Sequence, residues 1–188
     1  MTAAGLELDL PTGWLRLNPD DQAVADVLAT ELGYHLPAPL RPALASAVRA
    51  GAEGLLVRLP PADEDPPFAV VGALVVHDSA AIDVTELRDA LDREGIGAAV
   101  GMLDGVPVLA SAARDPGGPG SPSLLIISYL LPVPTATVVL AFVAVETAPA
   151  RCITAEVARV ICAARIVHDC GERSRGYAAG GEPGATAG

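Results

Sequence analysis

Three cysteines and three histidines have the widest chemical repertoire in this sequence, and their spacing decides what chemistry they could share. His168-Asp169-Cys170 assembles the residue types of a thiol nucleophile, its base and an orienting acid. A reactive thiol needs a nearby base and an electropositive setting. This triplet falls at the end of a predicted helix, where the dipole opposes a thiolate, so it reads as a helix terminus with a favourably placed histidine. Cys152 lies near the start of the same helix, the end that lowers a thiol pKa, but no histidine is close to it in sequence. Cys162 falls mid-helix among aliphatic residues and reads as core.

Metal and phosphate chemistry are equally poorly supplied. His77-Asp78, His35 and His168 could in principle form a three-histidine site. Zinc sites, however, usually take two ligands from one local motif such as His-x-x-x-His, and none is present. Asp63-Glu64-Asp65 lacks the spaced oxygen ligands of a calcium loop and reads as a solvated loop. Gly117-Gly118-Pro119-Gly120-Ser121 lacks lysine and leads into a strand, so no helix N-terminus is available to hold a phosphate there. There is no Gly-x-Ser-x-Gly elbow, and no spacing singles out a carboxylate pair for glycoside chemistry. No catalytic, cofactor-binding or metal-ligating residue is therefore nominated, and no cofactor is expected.

Composition narrows the classes further. All 12 basic residues are Arg, Asn18 and Gln22 are the sole amides, and Ala, Gly and Pro abound, a bias that points to a high-GC genome such as an actinobacterium's. Without lysine, a Walker phosphate loop, a Schiff-base enzyme and a protein kinase are excluded, since each uses a lysine amine. A net charge of −11 with no basic stripe argues against nucleic-acid binding, which depends on neutralising phosphates. The hydrophobic fraction of 51% against 19% charged predicts an ordered chain, with a core of Leu, Val, Ile and Ala because aromatics reach only 3%. The odd cysteine count, and an N-terminus (MTAAGLELDL) with neither a basic start nor an apolar run, predict a cytoplasmic protein.

The elements that would position these residues follow from periodicity. Leu6, Leu8 and Leu10 alternate with Glu7 and Asp9 as a half-buried strand, and Trp14 to Leu17 form a second after the Pro11–Gly13 turn. Asn18-Pro19-Asp20-Asp21 starts a helix whose stripe is Val24, Val27, Leu28 and Leu32, ending at Gly33. A second helix runs from Pro39 to Ala50 on Leu40, Leu44 and Val48. Strands follow at Leu55–Leu59 and, almost wholly apolar and therefore central, at Phe68–Val76, separated by the acidic proline loop 60–67. Asp83 to Glu94 is a helix with Val84, Leu87 and Leu91 inward. Asp104-Gly105 joins Ile96–Leu103 to Val106–Ala113 in a two-residue hairpin.

The uncharged stretch from Pro116 to Val145 is long enough to raise the question of a transmembrane segment. Pro132 and Pro134 break helical bonding in its middle, and β-branched residues flank them. Two strands, Leu124–Leu131 and Thr137–Val145, joined by Pro132-Val133-Pro134, are predicted instead. Cys152 to His168 is the last helix, with Ile153, Val157, Val160, Ile161, Ala164 and Val167 buried. The order predicts one α+β domain over residues 1–170, an antiparallel β-sheet of about six to eight strands covered by helices, then a disordered tail over 171–188.

Leu8-Asp9-Leu10-Pro11-Thr12-Gly13-Trp14 resembles the "apolar-x-apolar-Pro-x-Gly-Trp" opening of the PsbP-like superfamily. The hairpin at Asp104-Gly105, the strand with Tyr129-Leu130-Leu131-Pro132 and the closing helix are similar too, over residues 5–170. The helical stretch from Pro39 to Ala50 is extra to that pattern. The superfamily includes a photosystem accessory protein, a Ran-binding import factor and bacterial accessory proteins. It has no shared catalytic residues, so none is carried over. The resemblance implies an α-β sandwich and a non-catalytic, protein-binding role, as an accessory factor or chaperone for a bacterial secretion or effector system. Two alternatives stand beside it: a small enzyme or ligand-binding domain with a pocket between sheet and helices lined by His77, Asp78 or Cys152, and a structural subunit exposing an apolar patch on Leu124–Val145.

Overall fold

The computed structural model describes residues 2–3, 6–19, 35–77, 82–133 and 136–166. The helix predicted from Asn18 to Gly33 beyond its first two residues, Asp78, the Pro134 corner, Val167, His168-Asp169-Cys170 and the tail from 171 lie outside the described residues. The elements are β1 (Thr2–Ala3), β2 (Leu6–Leu8), β3 (Trp14–Leu17), a 3-10 turn (Ala38–Leu40) leading into α1 (Arg41–Arg49), β4 (Gly54–Arg58), β5 (Val70–His77), α2 (Val84–Arg93), β6 (Gly97–Leu103), β7 (Val106–Asp115), β8 (Leu124–Val133), β9 (Ala136–Val145), α3 (Ala150–Cys162) and β10 (Ala164–Ile166). The fold is α+β: a seven-stranded sheet in the order β3-β4-β5-β9-β8-β7-β6, and a small sheet β1-β2-β10, every pairing antiparallel.

The charge-free segment forms the β8–β9 hairpin inside the large sheet, between β5 and β7. No helix among the described residues is long and apolar enough to cross a membrane. The strand runs further than its prolines suggested, for Pro132 and Val133 belong to β8, opposite Thr137 and Ala136. The β7 ladder stops at Leu130, so no β7 partner requires an N–H from Pro132.

Alternation along the strands divides the sheet into two faces and two cores. On the first face, Val70, Leu74, Leu140, Phe142, Ile127 and Leu131 meet Ile153, Val157, Val160 and Ile161 of α3, with Leu6, Leu8 and Ile166 of the small sheet. On the second, Leu55, Val57, Val71 and Ala73 meet Leu36, Leu40 and Leu44. Phe142 anchors the first core, edge-on to Trp14 at 5.8 Å and to Tyr129 at 6.4 Å. Edge-to-face pairs at such distances are favourable beyond their area burial.

Three expectations are corrected here. The last helix ends at Cys162 rather than His168, and Ala164–Ile166 pair with Leu6–Leu8 instead. Ala164 and Ile166 point inward while Arg165 faces Glu7, a two-residue alternation that the apolar helical spacing had masked. Cys162 is consequently exposed at a helix end rather than core. β2 pairs with β1 and β10 in the small sheet, whereas β3 lies in the large one. Val48, placed on the buried stripe of the second helix, is 40% exposed, because the packed stripe runs from Leu44 through Ala47 rather than Val48.

Candidate functional site

Among the described residues, the histidines and cysteines weighed in the sequence are not gathered together. His77 is exposed at the far end of β5 and His35 is exposed ahead of the 3-10 turn. Cys152 is exposed in the first turn of α3, whose approach is tied to the other end of β5 by the Thr147 hydroxyl donating to the Pro67 carbonyl at 3.0 Å. Val70 to His77 spans roughly 23 Å of strand, so His77 and Cys152 sit at opposite ends of the sheet. Gly117 to Ser121 is an exposed loop. No group of three metal-ligating side chains occurs among the described residues. Two shallow hollows, one lined by Glu7, Leu8, Asp9, Ala163 and Arg165 and the other by Arg16, Leu17, Asn18 and Glu53, contain neither cysteine nor histidine.

Glu64 departs from the solvated loop predicted for its segment. Arg58 at the end of β4 is only 6% exposed. Its Nη1 donates to Glu64 Oε2 at 2.9 Å and to the Phe68 carbonyl at 2.7 Å, and its Cζ lies 3.9 Å from the centre of the Phe68 ring. Nε approaches Glu156 Oε1 on α3 at 3.5 Å. That same oxygen accepts from Trp14 Nε1 at 2.9 Å, and Glu156 Oε2 accepts from Arg159 at 2.9 Å. One guanidinium thus fastens the proline loop, the sheet and α3 together. Burial, its largest influence, would lower the Arg58 pKa, but Glu64 and Glu156 outweigh it and raise it. Every polar bond here is satisfied internally, so the cluster is a structural clamp.

The clamp has a pH signature. The Arg58 hydrogen bond, against partial burial and with help from the Phe68 N–H, holds the Glu64 carboxyl below its ordinary value of 4.5. A carboxyl whose folded pKa is depressed stabilises the fold above its unfolded pKa and loses that contribution as pH falls through the folded one. The melting temperature should therefore decline as pH drops below the ordinary glutamate value, and Glu64→Gln should make that acid decline shallower. An equally steep decline in the variant would show that the pair carries no linkage.

The second face of the large sheet holds a surface of a different kind. Across it run rows of aligned side chains: Val75, Val139, Leu130, Leu109 and Val100 in one, and Ala73, Ala141, Ser128, Ser111 and Ala98 in the next. The 3-10 turn and α1 cover its β4–β5 side. α2 packs on β6 and β7. Because Gly97, Ala99 and Ala112 on the first face stay exposed while Leu109 is 3% exposed on the second, α2 covers the second face. Between these covers, Ile126, Ser128, Leu130, Val139, Ala141 and Ala113 remain half-buried and belong to neither core. The result is an uncharged aliphatic floor at the middle of the sheet, with Ser111 and Ser128 opposite each other in register as its polar residues. Sequence reasoning gave most of these residues to two apolar strands of the sheet, and raised an exposed apolar patch on Leu124–Val145 as one alternative. The half-open state left no separate signal, because covered and uncovered floors read alike.

No family model matches the chain, and no curated protein matches it in sequence. Among solved structures it is similar to LpqN, involved in cell envelope biogenesis of Mycobacterium tuberculosis, at 14% identity and a TM-score of 0.47 over 87% of this chain and 83% of that one. It is also similar to a protein of Bacteroides thetaiotaomicron at 8% identity and a TM-score of 0.46, over 88% of this chain and 46% of the other. What the structure bears out of the PsbP-like resemblance is the α+β architecture of a sheet packed against helices.

Proposed function

We propose that this chain is a non-catalytic binding module whose sheet floor holds an apolar helical segment of a protein partner. The observation that carries the reading is the half-exposed aliphatic row through Leu130 and Val139, on strands whose opposite face is fully packed. Binding grooves are mostly apolar with few polar groups, and the floor combines aliphatic side chains with the Ser111–Ser128 pair. Three strands at about 4.8 Å spacing give a floor roughly 10 Å across, the diameter of one α-helix. Helix-in-groove recognition is therefore the mode it fits. Among the described residues, the exposed free thiols of Cys152 and Cys162 support a reducing, cytoplasmic setting, in which the module would act as an accessory factor or chaperone for its partner.

Selection of a displayed library of short random peptides on the folded protein tests this. The expected result is enrichment of sequences with aliphatic residues at helical three- and four-residue spacing, whose binding drops at least tenfold on Leu130→Glu while the melting curve stays cooperative. Enrichment of charged sequences, or binding indifferent to Leu130→Glu and to Val139→Thr, would overturn the reading.

A further inference from the structure

The four outer strands of the two sheets are not protected alike. β3 is four residues long, carries Arg16 and runs into Asn18-Pro19. β1 has two residues, and β10 has three with Arg165 among them. Short length and charge are the usual protections of a sheet edge. β6, Gly97-Ala98-Ala99-Val100-Gly101-Met102-Leu103, has none of these: it holds seven unbroken pairs with β7 and contains no charge, proline or bulge. No described residue pairs with its outer side. Among the described residues the exposed large hydrophobics are Val48 at 40%, Val100 at 38% and Met102 at 68%, so two of the three lie on this strand.

The hairpin geometry fixes which backbone groups of β6 face outward. Asp104 and Gly105 both have positive φ, 48° and 79°, the conformation of a two-residue type I′ turn. In such a hairpin the flanking residues, Leu103 and Val106, exchange hydrogen bonds, and hydrogen-bonded pairs then alternate. Leu103, Gly101, Ala99 and Gly97 therefore direct their N–H and C=O groups to β7, while Met102, Val100 and Ala98 direct theirs away from the sheet. This outward set is symmetric about Val100. If a second β6 is laid antiparallel with its Val100 opposite the first, Ala98 faces Met102 of the other copy and Met102 faces its Ala98. All three are hydrogen-bonding positions on both strands. The register forms about six backbone hydrogen bonds, two per pair. It also brings the exposed Val100 and Met102 side chains against apolar neighbours on one face.

We infer that β6 is a dimerisation edge through which two copies of this chain join into one continuous antiparallel sheet about a two-fold axis at Val100. An isologous contact of this kind closes on itself and leaves no further edge of the type. It also suits a chain with a net charge of −11, since the joining strands are uncharged where the copies come closest. The Val100 row of each copy continues into the other, but Leu109, buried in that row, separates this edge from the open floor, so the inference stands apart from the binding role proposed for the floor.

Charge placement across the axis tests it, because the two-fold axis sets residue 100 against itself. Light scattering on the full chain should give twice the mass of one chain for wild type, one chain mass for Val100→Lys and for Val100→Glu separately, and the dimer mass again when the two variants are mixed. A monomeric wild type at micromolar concentration, or a dimer that survives Val100→Lys, would overturn the inference. If either variant misfolds, amide hydrogen exchange of wild type decides. The N–H groups of Ala98, Val100 and Met102 should be protected in the dimer and lose that protection on dilution, while those of Ala99, Gly101 and Leu103 stay protected throughout. Uniform or dilution-independent exchange along β6 would rule the pairing out.

Discussion

Replacing Arg58 by Met should cost about 3 kcal/mol of folding free energy, the usual penalty for removing one partner of a buried ion pair and leaving the other unpaired. For a chain of this size that is a fall of roughly 10 °C in melting temperature. Met keeps much of the aliphatic stem, so the loss is chiefly electrostatic. Glu156 retains Trp14 Nε1 and Arg159 as donors, whereas Glu64 is left with the Phe68 N–H at 3.3 Å. The damage is thus concentrated on Glu64, whose side chain is 19% exposed. The double variant Arg58→Met with Glu64→Gln should recover a measurable part of the loss, because an amide in that position needs no cation. Chemical denaturation followed by Trp14 fluorescence reads both changes, since Trp14 shares Glu156 with the clamp. A loss under 1 kcal/mol, or a double variant no better than the single, would show that the loop is held by something other than this guanidinium.

Gly72→Ala should be the most damaging small substitution in the sheet. A Cβ at Gly72 would lie 2.6 Å from Phe142 Cδ1, 2.7 Å from Cε1 and 3.2 Å from Leu56 Cβ. Phe142 is opposite Gly72 in the β5–β9 register and is 1% exposed. Its ring is wedged edge-on between Trp14 and Tyr129, so it cannot yield as a surface side chain would. Overpacking of this kind costs typically 1–3 kcal/mol, and the fixed ring puts Gly72→Ala at about the top of that range. Phe142→Leu should be destabilising on its own through the cavity it leaves. Combined with Gly72→Ala, however, it should cost less than the two changes added, because the methyl occupies space the ring has vacated. Strict additivity would mean that the ring is not what excludes a side chain at position 72.

The parts of this molecule that a sequence reader can see are those in which one periodicity acts alone. The Asp104-Gly105 turn, the apolar β5 strand and the stripe Ile153, Val157, Val160, Ile161 were legible because turn chemistry and period leave no competing reading. β10 was not, since Ala164 and Val167 continue the stripe of the helix, whereas Ala164 and Ile166 share a face only on a strand. The choice fell to β2, which requires a strand partner far away along the chain, Ile166 opposite Leu6. Glu64 looked solvated because Arg58 reaches it from a different element. The floor was hidden for a related reason: Ile126, Leu130 and Val139 announce a buried strand, and among the described residues the reach of α1 and α2 across the sheet leaves them half open.

Binding of the uncharged dye Nile red to the native protein tests the open floor most directly, since it avoids the repulsion an acidic chain exerts on anionic probes. Wild type should bind it saturably with enhanced fluorescence, and Leu130→Glu should lose most of that signal while retaining a cooperative melt. Equal dye fluorescence in the two proteins, or none in wild type, would contradict a sheet surface open to apolar ligands.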